Sequence, residues 1–411
     1  MAVDFLTIDD FDIENETVLV RIDINSPVNP FSGLILDDTR LKLHAETIKE
    51  LSDKGAKVVI LAHQSRPGKN DFTTLSQHAA AFSEIIGLPV KYIDSLFSSA
   101  AQNAIDALKP HEILLLENAR FFAEETMKRS PEEHSNSILV KNLSPHIKYF
   151  INDAFAAAHR SQTSLVGFTV NTPSAAGRVM EKELTVIQSA LKNVESPCVF
   201  LLGGMKADDS IEVMENVLEN GTADYVLTTG LVANIVLWAA DVDIAEVNKN
   251  FIEARGYRSM VDKVKGLLDK FGDKIVYPKE VACSVDGERV DVSIDEIPNN
   301  SIFDIGENSI EEYSKILKEA KYIFANGPAG VFEDPLFAVG TESLVNAMAE
   351  AEGFTLIGGG HIAAATAALG VEEKMSHVSS GGGACISLLA GKDLAAVKAL
   401  VESANKFKKA E

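Results

Sequence analysis

KVVILAHQSRP, residues 57–67, decides the fold: Val58, Val59, Ile60, Leu61 and Ala62 run unbroken into His63 and Arg66. An apolar run without polar alternation reads as a strand buried on both faces, the kind found in parallel sheets. The ending recurs. TVLVRID (17–23) leads to Asn25 and, a loop later, Arg40; EILLLENAR (112–120) ends in Arg120; YFINDAFAAAHR (149–160) ends in His159 and Arg160. The strands are predicted over 18–22, 58–62, 113–116 and 149–152. Open α/β sheets bind ligands beyond the carboxyl ends of their strands, so these segments are expected to converge on one crevice. Four arginines with one or two histidines there make a site for a small polyanion. A single arginine of this kind is more often a surface ion-pair member; its repetition after successive strands favours the anion site.

The second half changes character. CVFLLG (198–203), DYVLTTG (224–230), YIFANG (322–327) and FTLIGGG (354–360) each run into a glycine turn and then a helix. Glycine there lets backbone N–H groups approach a phosphate while the next helix points its positive end at it. LLGGMKADDS (201–210) adds Lys206, able to follow a moving phosphoryl group, and the acids Asp208 and Asp209, able to hold Mg²⁺. It is not a Walker A loop, and alone it would be weak, since such a sequence is more often a simple turn. ANGPAGVFEDP (325–335) is more specific: a rigid turn around Pro328, then Glu333 placed to accept from ribose hydroxyls rather than as a solvated turn residue. The triplets Gly358 to Gly360 and Gly381 to Gly383, the second after Ser379 and Ser380, either bind phosphates or let helices pack closely.

Alternating strands and helices over 411 residues predict two doubly wound parallel-sheet α/β domains joined by a hinge. The switch from arginine to glycine endings puts the boundary near NTPSAAGRVMEKEL (171–184). The expected division is 1–172 for the anion-binding domain and 173–392 for the nucleotide-binding domain. A terminal helix over 393–411, solvated on one side, is expected to pack on a domain, with the first as a candidate. Residues 276–304, with an Asp286-Gly287 turn signal, read as irregular strand and loop of no evident function.

Composition narrows the partners. With 38 Lys and Arg against 60 Asp and Glu, the net charge of -22 disfavours nucleic acid. Cys198, Cys283 and Cys385 show no metal-ligand spacing and read as buried thiols of a reducing compartment. The acidic N-terminal stretch does not read as a signal peptide, which needs a basic start and an apolar run, and the most apolar window, 225–240, is broken by Thr228, Thr229, Gly230 and Asn234 and is too short to span a bilayer. A cytoplasmic protein without membrane partners is expected, either monomer or homodimer.

An anion site on one domain and a nucleotide site on the other suggest two substrates that meet on closure, as in a kinase. RIDINSPV (21–28), DDTRLK (37–42), HQSRP (63–67), ENARF (117–121), DAFAAAHR (153–160), GGMKADDS (203–210), NGPAGVFE (326–333) and SHVSSGGGA (376–384) occur in this order. In these motifs the chain resembles the phosphoglycerate kinases over essentially its whole length. The resemblance implies reversible phosphoryl transfer between 1,3-bisphosphoglycerate with ADP and 3-phosphoglycerate with ATP, in line, with Mg²⁺ and after hinge closure. It implies that Asp23, Asn25, Arg40, His63, Arg66, Arg120 and Arg160 bind the glycerate substrate. Gly204, Lys206, Gly230, Asn326, Gly327, Glu333, Gly359, Gly360, His361, Ser380, Gly381 and Gly382 would line the ATP or ADP site. Arg40 and Lys206 are the cations expected to meet the phosphoryl group in flight.

The chain departs from the common pattern where most bacterial and eukaryotic members carry a second lysine, here Ser210, and a metal-linked acid, here His361 followed by Ile362. These departures resemble the archaeal branch. They shift the metal task to Asp209 or to the nucleotide phosphates, with His361 bonding a phosphate or a water. Two rivals differ in class. A dinucleotide-binding oxidoreductase lacks its GxGxxG after the first strand. A nucleotide-binding protein that kept the fold and lost the chemistry has no evident use for Lys206 and Arg40.

Overall fold

The computed structural model describes residues 5–408. They form two compact units, one running to Thr185 and resuming at Asp393, the other spanning Val186–Lys392.

The first unit is built on a six-stranded parallel sheet: β1 (Thr17–Arg21), β2 (Lys57–Leu61), β3 (Val90–Tyr92), β4 (Ile113–Leu115), β5 (Tyr149–Asn152) and β6 (Ser174–Ala176), in the order β3-β4-β2-β1-β5-β6. The unbroken apolar runs are explained by two cores, one on each face. Val18, Val20, Val58, Ile60, Ile113 and Ile151 enter one cluster, while their neighbours Leu19, Val59, Leu61, Leu114 and Phe150 enter the other. Register makes the strand ends level: Arg21 lies opposite both Leu61 and Asn152. Asp23, His63 and Asp153 therefore follow at one edge of the sheet.

The units divide inside helix Arg178–Lys192, beyond the 172/173 boundary expected from sequence. The run of small residues that suggests a linker is β6, whose Ser174, Ala175 and Ala176 pair with Phe150, Ile151 and Asn152. Arg178 then reaches Asp9 at 2.7 Å and Glu50 at 2.7 Å, tying the helix start to the first unit. Helix Ala395–Phe407 belongs to this unit too: Ala396 N–H donates to Ala158 O at 2.9 Å, and Leu400 and Ala404 are buried.

The second unit has its own six-stranded parallel sheet of β7 (Cys198–Leu202), β8 (Tyr225–Thr228), β9 (Ile275–Val276), β13 (Tyr322–Asn326), β14 (Phe354–Gly358) and β15 (His377–Val378). Their order is β15-β14-β13-β7-β8-β9. Phe200 and Phe324 stack on neighbouring strands, ring centroids 4.7 Å apart. Residues 276–304 are more regular than their sequence suggests. β10 (Glu280–Val285), β11 (Glu288–Ser293) and β12 (Ile302–Ile305) form an antiparallel sheet in the order β11-β10-β12. Asp286 and Gly287 both adopt positive φ, 51° and 86°, closing a two-residue hairpin. No helix among the described residues is long and apolar enough to cross a membrane.

Candidate active site

In the first unit, Asn25, His63, Arg66, Arg120 and Arg160 line one cavity of about 500 Å³, with Ser65, Thr126 and Gln162 completing the wall. The loops that carry them are knitted by polar side chains. Asn25 Oδ1 accepts from Ser65 N–H at 2.6 Å, and Asn118 holds the Gln64 backbone through both its amide groups. Arg120 Nη1 donates to Ser65 O. None of Arg66, Arg120 and Arg160 pairs with a carboxylate among the described residues, although ion pairs are frequent elsewhere on this acidic chain. Burial, then repulsion from Arg160 and Arg21, pushes the Arg120 guanidinium down to about 10. Cations crowded in one cavity without a directly paired carboxylate favour the entry of an anion.

Arg21 is the residue that sequence reading passed over. It is fully buried beneath the cavity, where Nε donates to Ser164 Oγ at 2.9 Å and Nη1 to Ile22 O. Its Nη2 faces His63 Nδ1 at 2.9 Å. Guanidinium can only donate, so His63 Nδ1 accepts and the ring proton sits on Nε2. Burial, then the Arg21 charge, holds His63 well below its ordinary pKa, so it enters the site as a neutral donor. Glu125 balances Arg21 from the buried side: its carboxylate takes Ser164 N–H at 2.8 Å and Ser164 Oγ–H at 2.6 Å. Burial raises the Glu125 pKa, against the pull of Arg21 and Ser164.

Asp23 and Arg40 stand beside the cavity as a pair, Arg40 Nη1 donating to Asp23 Oδ2 at 2.7 Å. Burial opposes the Asp23 charge, yet Arg40, Arg21 and the Asn25 N–H hold its pKa far below the carboxylate range. His63 would add to that pull only if protonated, which its own burial prevents. The Arg40 side chain keeps 40% of its surface exposed, so it is anchored without being used up. His159 lies against Arg160, whose Nε donates to His159 Nε2 at 3.2 Å, and does not line the cavity.

In the second unit, glycine turns at four strand ends pack backbone to backbone. Gly203 N–H donates to Asn326 O at 2.8 Å, Gly204 N–H to Pro328 O at 2.9 Å, and Gly230 N–H to Ala329 O at 2.9 Å. At Gly327, with φ 83°, a Cβ would lie 2.3 Å from Gly203 O; at Gly382 it would lie 2.6 Å from the Cα of Gly359. Only glycine permits this closeness. Helices Ala207–Glu219, Gly230–Ala239, Gly360–Ala368 and Gly382–Leu389 all start at these turns, turning their free N–H groups toward the strand ends.

Beside the turns lies a cavity of about 480 Å³, lined by Gly204, Gly230, Pro328, Glu333 and His361 and by apolar Leu231, Val281, Ile302 and Phe332. Its wall includes Val281 and residues 302–305 of the small antiparallel sheet to which the sequence assigns no role, with Pro278 and Ser301 beside them. Arg289 fixes that wall, bonding Asp304 Oδ2 at 2.8 Å and Ile305 O at 2.9 Å. Asn326, Gly327, Gly359, Gly360, Ser380, Gly381 and Gly382 sit at the turns and not in the cavity wall. Lys206, exposed and unpaired among the described residues, precedes helix Ala207–Glu219. Ser210, in that helix, is buried and supplies no second cation. Asp209 is half-buried; burial and neighbouring Asp208 raise its pKa. The described residues hold no cluster of three His, Cys, Asp or Glu side chains fit for a metal.

The sequence model of the family described as phosphoglycerate kinase matches residues 8–392. The chain belongs to the phosphoglycerate kinase family. It is 59% identical to phosphoglycerate kinase of Methanothermobacter thermautotrophicus, over 97% of each chain. Identity to that of Methanobacterium bryantii is 57%, over the full length of both. A crystal structure of phosphoglycerate kinase from Pyrococcus horikoshii OT3 superposes with a TM-score of 0.89 at 40% identity, covering 98% of this chain and 100% of that one. A phosphoglycerate kinase from Coxiella burnetii gives 0.81 at 29% identity, over 97% and 99%. The high identity to archaeal members of the family agrees with the departures at Ser210 and His361.

Proposed function

We propose that the first unit binds 3-phosphoglycerate or 1,3-bisphosphoglycerate through the arginine cavity, and that the second binds ADP or ATP at its glycine turns. The protein is a kinase of the phosphoglycerate type, transferring a phosphoryl group between 1,3-bisphosphoglycerate and ADP with Mg²⁺ as cofactor. The observation that carries the residue assignment is the cavity in which Arg66, Arg120 and Arg160 have no carboxylate partner and His63 is held as a neutral donor.

In this reading Arg66, Arg120 and Arg160 take the substrate's phosphate and carboxylate oxygens, with His63 Nε2–H and Asn25 fixing its orientation. Glu333 accepts from the ribose hydroxyls and the helix starts receive the nucleotide phosphates. Charge in the transition state spreads over the equatorial oxygens of the phosphoryl group, and preorganised donors stabilise it. Arg40, steadied by Asp23, and Lys206 are the cations assigned to that task once closure brings the two ligands together. The leaving acyl group is a carboxylate, a weak base, so no general acid is required.

With few acids nearby, the site fits a Mg²⁺ held mainly by nucleotide phosphates and water, with Asp209 as its protein oxygen. Bound there, the ion shields phosphate charge. A cytoplasmic setting without membrane partners belongs to the same proposal, and the net charge of -22 supports the absence of nucleic-acid partners. The test is a coupled assay with ATP, 3-phosphoglycerate and Mg²⁺, read as NADH loss through an added dehydrogenase. NADH loss that needs all three components is expected; nucleotide binding without turnover would favour a protein that kept the fold alone.

A further inference from the structure

One helix grips Asp23 twice. Arg40 and His44 lie one turn apart on helix Thr39–Asp53 and share a face. Arg40 holds the Asp23 carboxylate at 2.7 Å, and the Asp23 backbone N–H donates to His44 Nε2 at 3.3 Å. Behind His44, Asp153 Oδ2 lies 2.9 Å from Nδ1. The other oxygen of Asp153 accepts from the backbone N–H groups of Val179 at 2.8 Å and Met180 at 3.2 Å, at the start of helix Arg178–Lys192. Every side chain of this relay is shielded: His44 is 2% exposed, Asp153 0% and Asp23 5%. Gly177 packs so tightly that a Cβ there would sit 2.3 Å from Asp153 Oδ1, which leaves the carboxylate little room to move.

The relay has a direction. A ring nitrogen that accepts from a backbone N–H carries no proton, so the His44 proton is on Nδ1, where the Asp153 carboxylate takes it. The opposite tautomer would set two N–H groups against each other at Asp23. We infer that His44, locked in the Nδ1–H form by Asp153, is a positioning residue for Arg40: it fixes the Asp23 backbone on which the Arg40 guanidinium rests. Asp153 sets that position from the first turn of helix Arg178–Lys192. The inference builds on Arg40 as the cation that meets the phosphoryl group.

Steady-state kinetics of the full-length enzyme with ATP and 3-phosphoglycerate test it. Asp153→Asn keeps an oxygen for Val179 and Met180 but offers His44 an amide N–H, which drives the ring proton to Nε2. Its kcat should fall about ten- to hundredfold, with KM for ATP changed by less than about twofold. His44→Phe should do the same, and the double variant should lose no more than the worse single one, because both break one link. His44→Gln, whose amide can accept from Asp23 and donate to Asp153, should keep several-fold more kcat than His44→Phe. Histidine ¹⁵N NMR should show His44 Nε2 unprotonated in the wild type, a readout that stands even where a variant fails to fold. A proton on Nε2 in the wild type, an unchanged kcat in Asp153→Asn, or additive losses in the double variant would overturn the inference. Arg40→Ala is measured alongside. Normal turnover there removes Arg40 from the chemistry and the inference with it, whereas a deficient Arg40→Ala beside a normal Asp153→Asn overturns His44 alone.

Discussion

Replacing Arg289 with Met strips a buried carboxylate of its counter-charge while keeping the bulk of the arginine stem. Asp304 has no exposed side-chain surface, and Arg289 is its ion-pair partner at 2.8 Å. Its remaining donors are the backbone N–H groups of Gly340 at 2.7 Å and Ile305 at 2.9 Å. Breaking such a pair from one side typically costs about 3–5 kcal/mol, because the surviving charge stays buried. The loss should depend on pH. Burial already raises the Asp304 pKa, with Arg289 and the Gly340 N–H pulling the other way. In Arg289→Met the strongest opposing pull is gone, so the folded-state pKa rises further above the unfolded value of about 4. A carboxyl raised in the folded state contributes stability at low pH and loses it as pH rises through the folded pKa. The variant's deficit should therefore be largest near about pH 7.5 and shrink toward about pH 5. Urea unfolding followed by Trp238 fluorescence is the assay, since the chain's single tryptophan lies in the second unit. Residues 303–305 also wall the cavity proposed to take the nucleotide, so KM for ADP should rise while KM for the glycerate substrate holds. A deficit below about 1 kcal/mol, or one equal at both pH values, would refute the account of Asp304 as a buried charge dependent on Arg289.

Arg40→Ala should lose about 3–4 kcal/mol of transition-state stabilisation, two to three decades of kcat, with nucleotide affinity preserved. Near-normal turnover would end its assignment. Glu333→Ala should raise KM for ADP and ATP and spare that for 3-phosphoglycerate; an equal rise in both would make it a structural residue. In a Mg²⁺ titration at saturating substrates, Asp209→Asn should shift the midpoint more than His361→Gln, and the reverse order would refute Asp209 as the metal-side oxygen. Because burial and Asp208 raise the Asp209 pKa, protons should compete with Mg²⁺ there, and the wild-type midpoint should climb as pH falls, more steeply than in Asp209→Asn.

Strand ends carried most of what the sequence could say. His63, Arg66, Arg120 and Arg160 close apolar runs that physics places in parallel sheets, and level register brings them to one edge. Gly203, Gly327 and Gly382 were legible for a related reason, since no other residue tolerates the contacts they make. Arg21 was not, because it closes β1 between the apolar Val20 and Ile22, where pattern demands an apolar residue, and its compensation by Ser164 and Glu125 comes from far along the chain. His44 was hidden likewise: a histidine on an amphipathic helix carries no mark of the Asp153 that orients it. The sheet of β10, β11 and β12 was read only as irregular strand and loop around its turn, since in its outer strand the charged Arg289 and Asp291 are half-buried while Val290 is exposed, the reverse of the apolar-in pattern. The unit boundary was misplaced because small residues serve edge strands and linkers alike.

The second unit is an insertion within the first, entered and left through residues 185 and 393. During synthesis, residues 186–392 emerge as one continuous stretch and can fold as soon as the ribosome releases them. The first unit cannot be completed until helix Ala395–Phe407 arrives and Ala396 bonds Ala158, near Arg160 of the anion cavity. Chains truncated before residue 395 and released from the ribosome should therefore already bind nucleotide, while the grip on the glycerate substrate waits for helix Ala395–Phe407.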